Sequence, residues 1–169
     1  MKDIIIISGA PGSGKTTVAK LLKEKLQSPY IDLGWLREFH LDREWKQANE
    51  KEERMSFENL VSILKNYVKN GYKNVIVTDL TDSKVQEIPS IFGKDNFVIF
   101  SLTIETDEEL QKRVLGERDS GFKNTQEALR WNKDLKERQL LPSEHKIDNS
   151  HNNPDEAVQE ILGLLNGNN

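Results

Sequence analysis

The sequence predicts an α/β fold in three layers, a parallel sheet with helices on both faces. Three observations lead there. Apolar runs at residues 4–7, 75–77 and 97–100 are continuous and rich in β-branched or aromatic residues, as strands buried on both faces require. Segments with helical spacing separate these runs, and alternation of strand and helix builds a parallel sheet. A glycine-rich turn at residues 9–14 joins the first run to the first helix.

The elements follow in order. Ile4, Ile5, Ile6 and Ile7 read as a central strand. From Lys15 the spacing changes, with Val18, Leu22 and Leu26 four apart on one face, and Ser28-Pro29 stops that helix. A short strand is expected at residues 30–33, and residues 35–54, mixing aromatics with dense charge, are expected to be helical. Ser56 is expected to cap a helix facing Phe57, Leu60, Val61, Leu64 and Val68 inward, closed by Asn70-Gly71. Strands at 75–77 and 97–100 follow. Thr106 and Glu109 form a capping box for a helix reaching about Glu117. Gly116 and Gly121 bracket a polar loop, a helix is expected at residues 125–140, and a strand at 145–148. The last helix opens at Pro154, where a first turn tolerates proline.

Composition narrows the function. The 169 residues suit one domain. No cysteine is present, so a disulfide framework, a thiol nucleophile and a thiolate zinc site are excluded. His40, His145 and His151 lack ligand spacing. With 24 Lys and Arg against 28 Asp and Glu, the net charge of −4 argues against a protein that holds nucleic acid by bulk charge. Four residues is the longest apolar run, far short of a membrane span. Asp3 and the strand behind it do not form a signal peptide. The expectation is a soluble cytoplasmic protein, monomeric or homodimeric, without nucleic-acid or membrane partners.

Gly9-Ala10-Pro11-Gly12-Ser13-Gly14-Lys15-Thr16 fits G-x-x-x-x-G-K-[ST] at every fixed position. Glycines let the backbone curl so that successive N–H groups face phosphate oxygens, and the following helix offers its positive end to the same anion. Lys15 would reach the β- and γ-phosphates, Thr16 would join a Mg²⁺ shell, and Thr17 would bond the α-phosphate. Gly9, Gly12, Ser13, Gly14, Lys15, Thr16 and Thr17 are thus the nucleotide-binding set, with ATP and Mg²⁺ as the implied ligands.

This loop resembles the Walker A motif of P-loop NTPases. A short chain with the motif at its start is similar to the small P-loop kinases, which include shikimate, gluconate and nucleoside monophosphate kinases and the chloramphenicol phosphotransferase. The specific similarity covers residues 4–22. The resemblance implies a five-stranded parallel sheet in the order 2-3-1-4-5 and transfer of the ATP γ-phosphoryl group to a small acceptor. Other P-loop classes fit less well. Asn132-Lys133-Asp134 is one residue short of a guanine-specificity motif, no serine-glycine-glycine signature is present, and a motor-type ATPase would need an appended helical domain.

Beyond the loop, Asp79 ends an apolar strand in the manner of a Walker B carboxylate and is expected to support Mg²⁺; Asp82 is the alternative, and either residue suits a helix cap. Asp32 closes the second strand and should point into the crevice beyond the strand ends. The resemblance makes it the group that contacts the acceptor hydroxyl, while Gly34 allows a plain turn-forming role instead. Arg37 is placed to offer its fork to an acceptor carboxylate or phosphate, or to belong to a solvated charge run. Trp35, Phe39 and Trp45 wall the acceptor pocket or pack against the body. By the resemblance, Arg113 lies near adenine and Arg118 is the lid arginine that meets the transferring phosphoryl; Arg130 and Arg138 are alternatives. The resemblance further implies an acceptor-binding segment at about 32–55, a lid at about 116–125 and a loop at residues 147–156 that brackets adenine through its backbone, although a plain loop with Asn153 as N-cap fits the same residues. The competing function is a regulatory ATP-binding module that hydrolyses ATP slowly.

Overall fold

The computed structural model describes residues 2–167 apart from 43, 94, 117–121 and 152. Strand β1 (Ile4–Gly9) lies at the middle of the sheet, between β3 (Val75–Thr78) and β4 (Phe97–Thr103). Outside these run β2 (Tyr30–Asp32) and β5 (Glu144–Asp148), so the order is β2-β3-β1-β4-β5 with every pairing parallel. This is the expected order 2-3-1-4-5.

The unbroken isoleucine run has a direct cause in this placement. Side chains alternate across a strand, and here each face has its own helical cover. Ile4 and Ile6 pack against Phe57, Leu60 and Leu64 of α3 (Glu50–Lys69) and Val85 and Ile88 of α4 (Asp82–Phe92). Ile5 and Ile7 face Val18 and Leu22 of α1 (Lys15–Leu26) and Val158 and Ile161 of α7 (Pro154–Gly167). All four isoleucines are completely buried. A third, smaller cluster, Ile104, Leu110, Val114 and Ala128, joins α5 (Asp107–Leu115) to α6 (Thr125–Glu137) beyond the end of β4.

Two expectations about the segment after β2 are corrected. Residues 35–54 do not form one helix: α2 (Leu33–Arg37) is short, and turns follow it. Asp42 accepts hydrogen bonds from the Glu44 and Lys46 N–H groups, and such local bonding competes with helix continuation. Trp45 adopts a positive φ of 54°. The next helix starts at Glu50, capped by Asn49, not at Ser56. Ser56 is buried inside it and donates to Glu52. Two other limits move slightly. Helix α6 stops at Glu137 instead of reaching Leu140, because Arg138 turns extended. Thr106 does cap α5, whose last residue is Leu115.

Arg138 turns away to close a partly buried ion network around the fully buried Glu144 side chain. Its guanidinium donates to both Glu144 carboxylate oxygens, at 2.6 and 2.7 Å, and to Asp82. Burial by itself would raise the Glu144 carboxyl, but bonds from Arg138, the Leu141 N–H and Ser101 overcome it and hold the group below the usual range. The network ties the start of β5 to the start of α4. Glu144→Ala leaves Arg138 with Asp82 alone and strands the Ser101 hydroxyl and the Leu141 N–H, so it is expected to cost about 1–3 kcal/mol. Denaturant unfolding of the wild type and variant measures it.

Candidate functional site

The phosphate loop turns where no side chain fits. Gly9, Gly12 and Gly14 have φ of 142°, 93° and 94°, in the region that L-residues avoid. A Cβ on Gly9 would meet the Leu102 carbonyl of β4 at 2.6 Å and the Ser13 hydroxyl; one on Gly14 would meet Asn149 Nδ2 at 2.6 Å. Helix α1 then begins at Lys15 with no side chain capping its N-terminus, so the first-turn N–H groups face the crevice as an anion would require. Thr16 and Thr17 are exposed on that turn, and the buried Ser13 hydroxyl has no hydrogen-bond partner among the described residues. Lys15 Nζ is folded back onto the Gly9 and Ala10 carbonyls, at 2.7 and 3.0 Å, 5.8 Å from the Trp131 ring.

Asn149 locks this loop from the far side. Its buried amide donates to the Ser13 carbonyl at 2.8 Å. Arg113 in turn donates to the Asn149 and Ser150 carbonyls, at 2.9 and 2.7 Å, and to Glu109. The segment after β5 therefore works through a side chain as well as its backbone. Sequence reasoning passed over both Asn149 and Trp131. Nothing in a lone Asn marks it as a loop clamp, and Trp131 has the spacing of an ordinary packing residue. Its indole nitrogen is buried without a partner among the described residues.

Across the crevice, β2 and β3 end in carboxylates. An added Cβ on Gly34 would lie 3.0 Å from Asp32 Oδ1 and 3.1 Å from Asp79 Oδ2, so the two groups flank that glycine. Asp32 serves as the N-cap of α2 by accepting from Gly34 N–H, and also accepts from Thr78 and Tyr30. The turn-forming role is thus realised. A carboxylate has about four acceptor positions, so capacity towards the crevice remains. Burial, with help from neighbouring acids, pushes the Tyr30 hydroxyl up to about 12, against the lowering effect of its bond to Thr78. Asp79 sits in a left-handed conformation, φ 66°. Water reaches it from the crevice mouth, while protein crowds it elsewhere. That crowding, then the Asp32 charge, raises its pKa to about 6 against the pull of Lys15 and Arg37.

The structure disposes of several other arginines. Arg37 lies in the crevice, but its fork is filled by the buried Glu52 at 2.8–3.2 Å, and its face lies on Trp45. Arg138 belongs to the network described above, as does Asp82. Arg130 and Trp131 line a groove with Thr81 and Asp82. Arg118 and Gly121 fall outside the described residues. Asn132 holds the Ile104 N–H and carbonyl and has a packing role.

No cluster of three or more metal-ligating side chains occurs among the described residues. Mg²⁺ suits such a place, since it is commonly held by one or two carboxylates plus substrate phosphates. Asp79, close enough to Lys15 at the start of α1 for their charges to interact, fits that pattern.

Sheet order and phosphate loop are those of the P-loop kinases. A family model described as an AAA domain, AAA_18, matches residues 5–132, and the chain belongs to that family. It is 27% identical over 170 residues to a Pyrococcus abyssi protein named "Putative adenylate kinase", covering 96% of this chain and 83% of that one. A sugar kinase from Janibacter sp. superposes with a TM-score of 0.72 at 16% identity, covering 98% of this chain and 95% of that one. Shikimate kinase from Acinetobacter baumannii, in complex with shikimate, gives 0.62 at 22% identity, with 99% and 95% covered.

Because the Asp79 pKa stands above its ordinary 3.8, ionising it costs stability. That part of the stability is present at low pH and lost as pH rises through about 6. Asn tolerates the same left-handed backbone, so Asp79→Asn is expected to raise the melting temperature at pH 7.5 and to leave it unchanged near pH 4. Thermal melts across that range check the sign.

Proposed function

We propose that the protein is an ATP- and Mg²⁺-dependent phosphotransferase that moves the γ-phosphoryl group to a small-molecule acceptor in the cytoplasm. The observation that carries this is the pair of carboxylates, Asp32 and Asp79, set at adjoining strand ends opposite Lys15. A protein that only held nucleotide would need the loop but no such pair across from it.

Each residue has a role in this reading. The N–H groups at Gly12, Ser13 and Gly14 and the first turn of α1 cradle the phosphates. Lys15 leaves the Gly9 and Ala10 carbonyls for the β- and γ-oxygens, exchanging two carbonyl bonds for stronger charge-assisted ones. Thr16 and Asp79 would hold Mg²⁺, which would neutralise phosphate charge when bound. Thr17 bonds the α-phosphate. Asp32, fixed by three internal bonds, orients the acceptor hydroxyl, since phosphoryl transfer depends chiefly on placement and charge stabilisation. Arg113 shapes the adenine side by holding the Asn149 and Ser150 carbonyls. Arg118, in a lid at about residues 116–125, meets the spreading charge on the transferring group, and residues 32–55 bind the acceptor within a single domain.

Lys15→Ala is expected to lower ATP turnover by about 100-fold or more; unchanged turnover would remove the phosphate-loop assignment. Asp32→Asn keeps an oxygen for the Gly34 N–H and an amide for the Thr78 and Tyr30 hydroxyls. Its ATP affinity should therefore stay near wild type while acceptor-dependent ADP release falls. Equal loss of both would make Asp32 purely structural. A screen of ADP release against alcohols and phosphorylated compounds tests the reading as a whole: no stimulation by any of them favours a regulatory ATP-binding module.

A further inference from the structure

The charges around the crevice bear on what the acceptor is. A phosphorylated acceptor needs a fixed cation, and an arginine fork is the best match for its oxygens. Five arginines are described, and four are already bonded to carboxylates. Arg37 is bidentate to the buried Glu52, which Ser56 also holds. Arg54 bonds Glu58 and Glu87, Arg138 bonds Asp82 and Glu144, and Arg113 bonds Glu109 and two carbonyls. Arg130 pairs with no carboxylate among the described residues, but its groove also carries Asp82, Glu127 and Asp134. It lies beside Trp131, which stands against Lys15, and so on the donor side.

Among the described residues that act on Asp79, the balance left at the acceptor side is negative. Asp79 feels Asp32 and Glu53 of its own sign, and of the cations Lys15 and Arg37 that act on it, Lys15 serves the nucleotide and Arg37 is neutralised. Freeing Arg37 for a phosphate would leave Glu52 buried and unpaired, which costs several kcal/mol. Trp35, half exposed, stands edge-on to Tyr30 at 5.1 Å, so an apolar ring borders the carboxylates.

We infer that the acceptor is an alcohol bearing neither phosphate nor carboxylate, neutral or cationic, and that the paired Arg37 and Glu52 keep phosphorylated acceptors out. The inference rests on the phosphotransferase reading and narrows it. The acceptor oxygen bonds to the γ-phosphorus, the bond to the β–γ bridging oxygen breaks with its electron pair leaving on ADP, and the hydroxyl proton passes to a crevice carboxylate or to water. The products are a phosphomonoester, ADP and a proton.

Matched pairs that differ only by a phosphate test it with the intact protein: adenosine and AMP, cytidine and CMP, thymidine and TMP, glucose and glucose 6-phosphate, with glucosamine as a cationic alcohol. ADP release is read for each, and displacement of a fluorescent ATP analogue confirms nucleotide binding. The expected result is that at least one unphosphorylated compound is used, with kcat/KM at least about tenfold above its phosphorylated partner. Preference for the phosphorylated partners overturns the inference and leaves the phosphotransferase intact. Failure of every compound while ATP binds overturns both.

Discussion

The tightest constraint in the molecule is at the end of its central strand. Gly9 has the Leu102 carbonyl of the neighbouring strand so close that a Cβ cannot be placed. The backbone must therefore leave the sheet there with positive φ, and the phosphate loop starts from a point fixed by the strand pairing itself. The other end of the loop is held by Asn149, whose amide bonds the Ser13 carbonyl and fills the space a Gly14 side chain would take. Both ends of the loop thus depend on strands distant in the chain. A cradle for anions has to be rigid before the anion arrives, because N–H groups that must reorganise lose much of their electrostatic value.

Around this cradle the protein keeps charges apart until they are needed. Lys15 rests on two loop carbonyls near an indole ring. Asp79 is crowded and close to a second acid, a state that raises its pKa and favours the arrival of positive charge. Arg37, by contrast, is held by Glu52 inside its own layer. The net charge of −4 is therefore not just a property of the outer surface: two carboxylates, Asp32 and Asp79, flank Gly34 in the crevice, and four of the five described arginines are bonded to other carboxylates.

Strand runs and the phosphate loop were legible because their causes are local. An isoleucine run buried on both faces leaves a continuous apolar signature, and positive-φ turns select glycine directly. Asp32 and Asp79 could be placed at the crevice from the sequence because each ends a strand, and both flank Gly34. The segment after β2 was misread: dense charge at 35–54 has helical composition, but Asp42 and Asn49 bond their own backbone and break it into two helices with turns between. Arg37, Asn149 and Trp131 were misjudged or missed because their partners, Glu52, Ser13 and Lys15, lie from 15 to 136 positions away in the chain for the two bonded pairs, and no periodicity encodes such meetings.

By itself the sequence determined the class of the fold, the position of the anion cradle and the carboxylates that close two strands, since each rests on a residue's own stereochemistry or on spacing within one element. Tertiary structure alone decided which charges are available. An arginine looks the same in a sequence whether its fork is open or filled. Only the packing of α2 on α3, and of α6 against β5, shows that Arg37 and Arg138 have already been paired.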